Sequence, residues 1–236
     1  WLRTKAFPLM KAVADFWVSR VTRNDDGSYS ICNVVGADEY ANGVDDNAFT
    51  NGAAIRALEY ACEAARICNE PVPEIWEEVG KGIRILRFKD GVTREHATYN
   101  GEMIKQADVN LLGYPLYFVG DAESQKKDME YYVDKIDPQN GPAMSYSVFC
   151  VQYARMGDAK RAYEMFCRCY QPNLRSPFGV LAETPTSDNP YFMTGAGGLL
   201  QAVINGFCGL QITDGGVEQL SSVLPAHWKK VTVKGV

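Results

Sequence analysis

Two glutamates occupy settings in which a carboxyl group can move protons. Glu39 lies in GADEYANGVDDNAFTN, Gly36 to Asn51, where Asp38, Glu39, Asp45 and Asp46 share a loop with glycines and asparagines and an apolar helical pattern follows. Taken alone, the stretch also reads as a helix-entry cap, with Asp38, Asp45 or Asp46 meeting free backbone N–H groups. Its oxygens lack the alternation that an EF-hand calcium loop needs. Glu183 lies in SPFGVLAETPTSDNP, at the end of an apolar run and just before Pro185. A carboxylate there is partly desolvated, although a plain surface-loop glutamate fits the same pattern. Two carboxyl groups facing each other across a pocket suit glycoside hydrolysis, one giving a proton to the leaving oxygen and one activating water.

A third cluster, Lys105-Gln106-Ala107-Asp108, sits inside the interrupted apolar segment YNGEMIKQADVNLLGYPLYF. A lysine in such a segment must keep its charge solvated or paired. Pairing with Asp108 or Glu102 lies within helical reach, and neighbouring Lys and Gln side chains can also bind sugar hydroxyls. Tyr40, Tyr99, Tyr114, Phe178 and Tyr191 supply aromatic faces, of which one or two would stack on a sugar and the rest would pack.

Other chemistries have little to work with. The chain holds only two histidines, His96 and His227, neither with a metal-type neighbour, so a zinc enzyme or a Ser-His-Asp hydrolase is not expected. Seven cysteines with no CxxC pair read as buried free thiols. No metal site and no cofactor is expected. TGAGGLLQAVINGF has no strand before it and no lysine after it, as a phosphate loop would, so its glycines point to close helix packing. A net charge of −5 without basic clusters argues against nucleic acid, and no apolar run is long enough to span a bilayer. The opening WLRTKAFPLM lacks an initiator methionine and starts inside an apolar pattern, so the chain is expected to be a piece of a longer protein. The missing N-terminal part is then a partner of this one, and the absence of a leader says nothing about location.

The elements that must position these residues are mostly helical. Helices are expected over 7–21, over 49–68 with Asn47 or Thr50 as cap, over 74–88 after Pro73, and over 124–135. A tight helical hairpin follows, 142–154 and 158–170, broken at Gly157 and capped by Asp158. A glycine-rich helix covers 191–207. Asp26-Gly27 makes a turn beside a short strand, 176–190 is a long loop, and from Leu210 the pattern changes to β segments, LQITDG and KKVTVKGV. In the first helix Leu9, Met10, Val13, Phe16, Trp17 and Val21 form the apolar stripe. Helices joined alternately by short turns and long polar loops suggest paired helices in a layered bundle or toroid, with the site at the end that carries the long loops.

Together, VGADEYANGVDDNAFTN, EMIKQADVNLLGYPL, GPAMSYSVF, SPFGVLAET, FMTGAGGLLQAVINGFCGLQIT and LPAHWKKVTVKG resemble glycoside hydrolase family 65, in the family's order and over almost the whole chain. The resemblance implies a mainly α fold, the C-terminal half of an (α/α)6 barrel over 1–209, and the start of a β-rich C-terminal domain over 210–236. It implies an inverting enzyme acting on an α-glucoside. The glutamate of the family's DEY motif, the general acid, falls on Glu39; Ala37 stands where the family often has proline. The KQAD motif, which contacts glucose, falls on Lys105 and Gln106, and Asp38 and Tyr40 join them as expected substrate-binding residues. Glu183 falls where the family's hydrolases carry the general base, among them those acting on kojibiose or on glucosylgalactosyl-hydroxylysine. Asp38 and the nearby asparagines are expected to orient Glu39, and the crowd of like charges to help one acid stay protonated. The alternatives are an inverting phosphorylase, a non-catalytic sugar-binding toroid, and a structural helical domain whose acidic loops are caps.

Overall fold

A computed structural model describes residues 1–118, 121–189 and 191–235. Among them the chain forms seven α-helices and three two-stranded antiparallel ribbons. A π-helical turn, Leu2–Ala6, leads into α1 (Phe7–Arg20), β1 (Thr22–Arg23) and β2 (Tyr29–Ser30). The turn between the strands uses Gly27 at φ +82°. Then come α2 (Ala48–Ile67) and α3 (Glu74–Gly82), and, after a long loop with a 3-10 turn at Val109–Leu112, α4 (Ala122–Tyr132). The hairpin of α5 (Met144–Arg155) and α6 (Ala159–Arg168) precedes β3 (Leu174–Arg175) and β4 (Val180–Leu181). Last are α7 (Met193–Gln201), continued by a π-helical stretch Ala202–Phe207, and the hairpin of β5 (Leu210–Thr213) and β6 (Gly216–Gln219).

Two hydrophobic centres organise these pieces, with a smaller third around Phe7, Ala64, Ala65 and Cys68. Ala54, Ile55, Leu58 and Cys62 of α2 pack against Trp76 and Val79 of α3 and Ala14 of α1. The larger centre surrounds α5, whose residues from Ser145 to Ala154 are all at least half-buried and mostly fully so. A helix buried on every side belongs in the middle of a helical layer, and α6, α7 and the π-helical stretch enclose it. Gly157 at φ +87° ends α5, and the Asp158 carboxylate accepts from Arg161 N at 2.9 Å to start α6, as expected from their types.

Four expectations need correction. The helix after Pro73 stops at Gly82, because Ile83 enters a parallel bridge with Tyr29 and Arg84 N donates to Tyr29 O at 3.2 Å. On α1, Leu9, Val13 and Phe16 are exposed, while Phe7 and Ala14 are buried and Met10, Trp17 and Val18 pack at the edge. Apolar residues cover more than one face of this helix, so spacing alone did not select the buried one. The helix over 191–207 starts at Met193, because Tyr191 lies at φ +62° outside the right-handed helical region, and it is π-wound after Gln201. In KKVTVKGV the described residues 229–235 form no strand, and among the described residues they make no ladder pairing. Val236 of that segment and Pro190 of the loop 176–190 lie outside the described residues. The β5–β6 hairpin does form, and beyond it Trp228 packs back on Phe207 and Phe166 at centroid distances of 5.0 and 5.5 Å.

Among the described residues no helix is long and apolar enough to cross a membrane. The seven cysteines are free thiols.

Candidate active site

The acid-bearing turn hangs on one buried carboxylate. Asp108, fully buried, accepts from the Asn47 amide at 3.1 and 3.0 Å and from the backbone N–H groups of Ala37 at 2.8 Å and Asp38 at 3.2 Å. Asn47 also caps α2, its side-chain oxygen accepting from Thr50 N at 2.8 Å. One amide thus joins the start of α2 to the KQAD segment and the Gly36–Asp38 turn. Gly36 permits the approach: a Cβ there would collide with Asn47 Nδ2 and Asp108 Oδ2. Burial raises the Asp108 carboxyl to about 6, against the lowering pull of these three donors.

Asp38 points inward. It is 2% exposed and accepts from Lys105 N at 2.7 Å and Tyr40 N at 3.2 Å. Burial pushes its carboxyl above the ordinary range, partly offset by those two amides. The effect is to seat the residues on both sides of Glu39 and the backbone of Lys105 in one frame. Tyr40 is half-exposed, and its hydroxyl donates to Asp137 at 2.7 Å. Asp137, held by the amides of Gln139 and Asn140 as well, is lowered to about 2. Gln106 is buried and donates through Nε2 to Ala37 O.

Lys105 links the two glutamates. Its ammonium forms an ion pair and hydrogen bond with Glu39 Oε2, and lies 3.9 Å from Glu183 Oε1. The hydrogen bond to Glu39 holds the ammonium above the usual lysine range. Pairing with Asp108 or Glu102, expected from helical spacing, does not occur, because the segment is a loop with a 3-10 turn and not an α-helix. Glu183 is held through its main chain: Ala143 N donates to Glu183 O at 3.1 Å, and Asn173 Nδ2 to the same oxygen at 2.9 Å. Its side chain is one-third exposed and accepts from Asn189 Nδ2 at 3.3 Å. The β3–β4 ribbon, paired Leu174 to Leu181 and Arg175 to Val180, ends two residues before Glu183.

The other carboxylates of the opening stretch do not crowd Glu39. Asp45 accepts from Asn33 N at 2.8 Å, and buried Asp46 pairs with Arg84 at 2.6 Å. The nearest charge to the Glu39 carboxylate is a cation, so the like-charge crowding expected from the sequence is not what the fold builds.

A cavity of about 370 Å³ is lined by Ala37, Gln106, Tyr114, Ser145, Thr194 and Gln201 among others; Ala37 and Gln106 are chain neighbours of the site, whereas Glu39, Lys105 and Glu183 do not line it. Its walls come from the turn, the KQAD loop, α5 and α7. Among the described residues no group of three or more His, Cys, Asp or Glu is placed to hold a metal.

Residues 1–83 match the family model described as the glycosyl hydrolase family 65 central catalytic domain. The whole chain is 49% identical to the kojibiose hydrolase of Mucilaginibacter mallensis, over 100% of this chain and 35% of that protein. This chain belongs to glycoside hydrolase family 65. Another relative, the protein-glucosylgalactosylhydroxylysine glucosidase of Danio rerio, is 38% identical over 95% of this chain and 34% of its own length. The family 65 chain therefore spans about a third of the length of the curated relatives it matches. A solved structure named as a kojibiose phosphorylase from human microbiome superposes with a TM-score of 0.71 at 18% identity, covering 96% of this chain and 39% of its own. At that identity the likeness speaks to fold, and the fold is the mainly helical (α/α)6 barrel fragment that the family 65 motifs imply.

Sequence reasoning missed Glu95, Asn47 as a bridge to Asp108, and the role of Lys105 as a link between carboxylates. Glu95 has no local signal, since TREHATYN reads as an ordinary polar loop. Its burial is decided by segments far away in the chain.

Lys105→Met in the full-length protein is expected to lower kcat/KM on an α-glucoside on the order of 10²-fold, as misplacement of reacting groups does. Steady-state kinetics checks this. Activity within a factor of two of wild type would show that the ammonium does not organise the pair.

Proposed function

We propose that this chain supplies both reacting carboxyl groups of an inverting α-glucoside hydrolase. Glu39 as the neutral acid gives its proton to the glycosidic oxygen, and Glu183 as the carboxylate takes a proton from water attacking the opposite face of the sugar. The observation that carries the reading is the convergence of Glu39 and Glu183, from loops 144 positions apart, on the single Lys105 ammonium. Inversion needs roughly 6.5–9.5 Å between the two carboxyl groups, room for the sugar carbon and one water. The longer contact, Lys105 to Glu183 at 3.9 Å, is the one a substrate opens. Lys105, freed from one carboxylate, can then bind a glucose hydroxyl beside Gln106, while Asp38 and Tyr40 keep the acid turn in register.

Hydrolysis is favoured over phosphorolysis by charge. Glu183 is a fixed anion at the place of attack and repels phosphate, and Lys105, the nearby cation, already has the Glu183 carboxylate 3.9 Å away. The names of the relatives, a kojibiose hydrolase and a hydroxylysine-linked glucosidase, support an α-linked glucosyl substrate. We also propose that 1–209 is the second half of the barrel and 210–236 the start of a β-rich domain, a division supported by the change from helix to hairpin at Leu210.

The test is proton NMR of the first product from the full-length protein acting on kojibiose, nigerose, maltose or trehalose, with and without phosphate. β-Glucose is expected, at a rate that phosphate does not raise. Initial α-glucose contradicts inversion, and phosphate-dependent β-glucose 1-phosphate makes the protein a phosphorylase.

A further inference from the structure

Glu95 lies directly behind the acid-bearing turn and is fully buried. Its main-chain oxygen accepts from Ala48 N at 2.7 Å, at the start of α2. Both side-chain oxygens lack a donor among the described residues. The Asn47 amide that holds Asp108 also reaches the Glu95 main-chain oxygen at 3.4 Å, which places Glu95 beside the buried Asp108 and Asp38, and the other groups that act on it, Glu102, Tyr99 and Tyr132, are acidic or phenolic. Among the described residues no lysine, arginine or histidine forms an ion pair with it.

Three carboxyl groups buried together cannot all be ionised. The donors decide which one is neutral. Asp108 receives the Asn47 amide and the N–H groups of Ala37 and Asp38. Asp38 receives the N–H groups of Lys105 and Tyr40. The Glu95 side chain receives no donor among the described residues. A carboxylate with no donor is buried at prohibitive cost, whereas the neutral acid needs only an acceptor. Asp38 is that acceptor.

We propose that Glu95 is a positioning residue: it stays protonated and donates its O–H to the Asp38 carboxylate, locking the turn that carries Glu39. Asp38 in turn holds the amides of Tyr40 and Lys105, so one proton steadies both the acid and the lysine that spans the two glutamates. Burial, with Asp108 and Asp38 adding to it, pushes the Glu95 carboxyl up to about 10, which agrees with this placement of the proton. The catalytic purpose rests on the reading of Glu39 as the acid; the protonated pair does not.

The experiment compares full-length wild type with Glu95→Gln and Glu95→Leu. Glutamine keeps a donor toward Asp38 and should retain kcat within roughly threefold, whereas leucine should lose tenfold or more in kcat with KM little changed, since orientation and not sugar binding is lost. Infrared difference spectra of wild type against Glu95→Gln should show a neutral buried carboxyl at pH 7.5 that the variant lacks. Wild-type melting temperature should also fall as pH rises between 4.5 and about 10, because the folded acid keeps a proton that the unfolded one releases, and Glu95→Gln should flatten that fall. Absence of the neutral-carboxyl band, or a Glu95→Gln variant as slow as Glu95→Leu, overturns the proposal. If wild type turns over no glucoside, the reading of Glu39 fails by itself, and the infrared band alone then decides the Glu95–Asp38 pair.

Discussion

Glu39→Gln in the full-length protein lowers kcat on an unactivated α-glucoside by about 10²–10⁴-fold, the usual contribution of a positioned general acid. Glutamine fills the same volume and still accepts from the Lys105 ammonium through its carbonyl oxygen, so the turn anchored by Asp38 and Asp108 should stay in place. What disappears is the proton for the leaving oxygen. The loss should therefore depend on the leaving group. A sugar carrying an aglycone that departs as a stable anion needs little protonation, and on it the variant should approach wild-type turnover. Equal losses on both kinds of substrate would mean that Glu39 binds or orients and does not donate a proton.

Glu183→Gln is expected to lose a similar factor, about 10²–10⁴-fold, on both classes of substrate, because attack by water needs the base whatever the leaving group. This contrast between the two variants is the sharpest check on the division of labour. The main-chain bonds from Ala143 and Asn173 to Glu183 are untouched by the substitution, so the loop should keep its place. The Lys105 contact at 3.9 Å is the weaker of its two pairs and contributes little at a partly exposed position. A Glu183→Gln variant that hydrolyses normally would leave water activation to another group and remove the basis for inversion.

Much of the helical frame was legible in the chain's own order of residues. Asp158 and Gly157 mark the α5–α6 turn because a cap and a left-handed break act within four residues of one another. Asn47 as the cap of α2 follows from the same local rule. The end of α3 was not legible, since Ile83 is taken by Tyr29 from a segment more than fifty positions away. Nor was the buried side of α1, where apolar residues lie on more than one face and neighbouring helices choose among them.

The site divides in the same way. Residue types and motif order determined that Glu39, Lys105, Gln106 and Glu183 belong to a sugar-handling family, because a carboxyl or an ammonium has its chemistry wherever it stands. Only the tertiary structure decided what each does with its charge. It sent Asp38, Asp45 and Asp46 to backbone amides and an arginine, and left Glu39 facing a cation. It also buried Glu95 among carboxyl groups, with no donor to its side chain among the described residues. The physical reason is range: caps and turns are settled within a few residues, whereas ionisation depends on burial and on partners that the fold delivers from any distance along the chain.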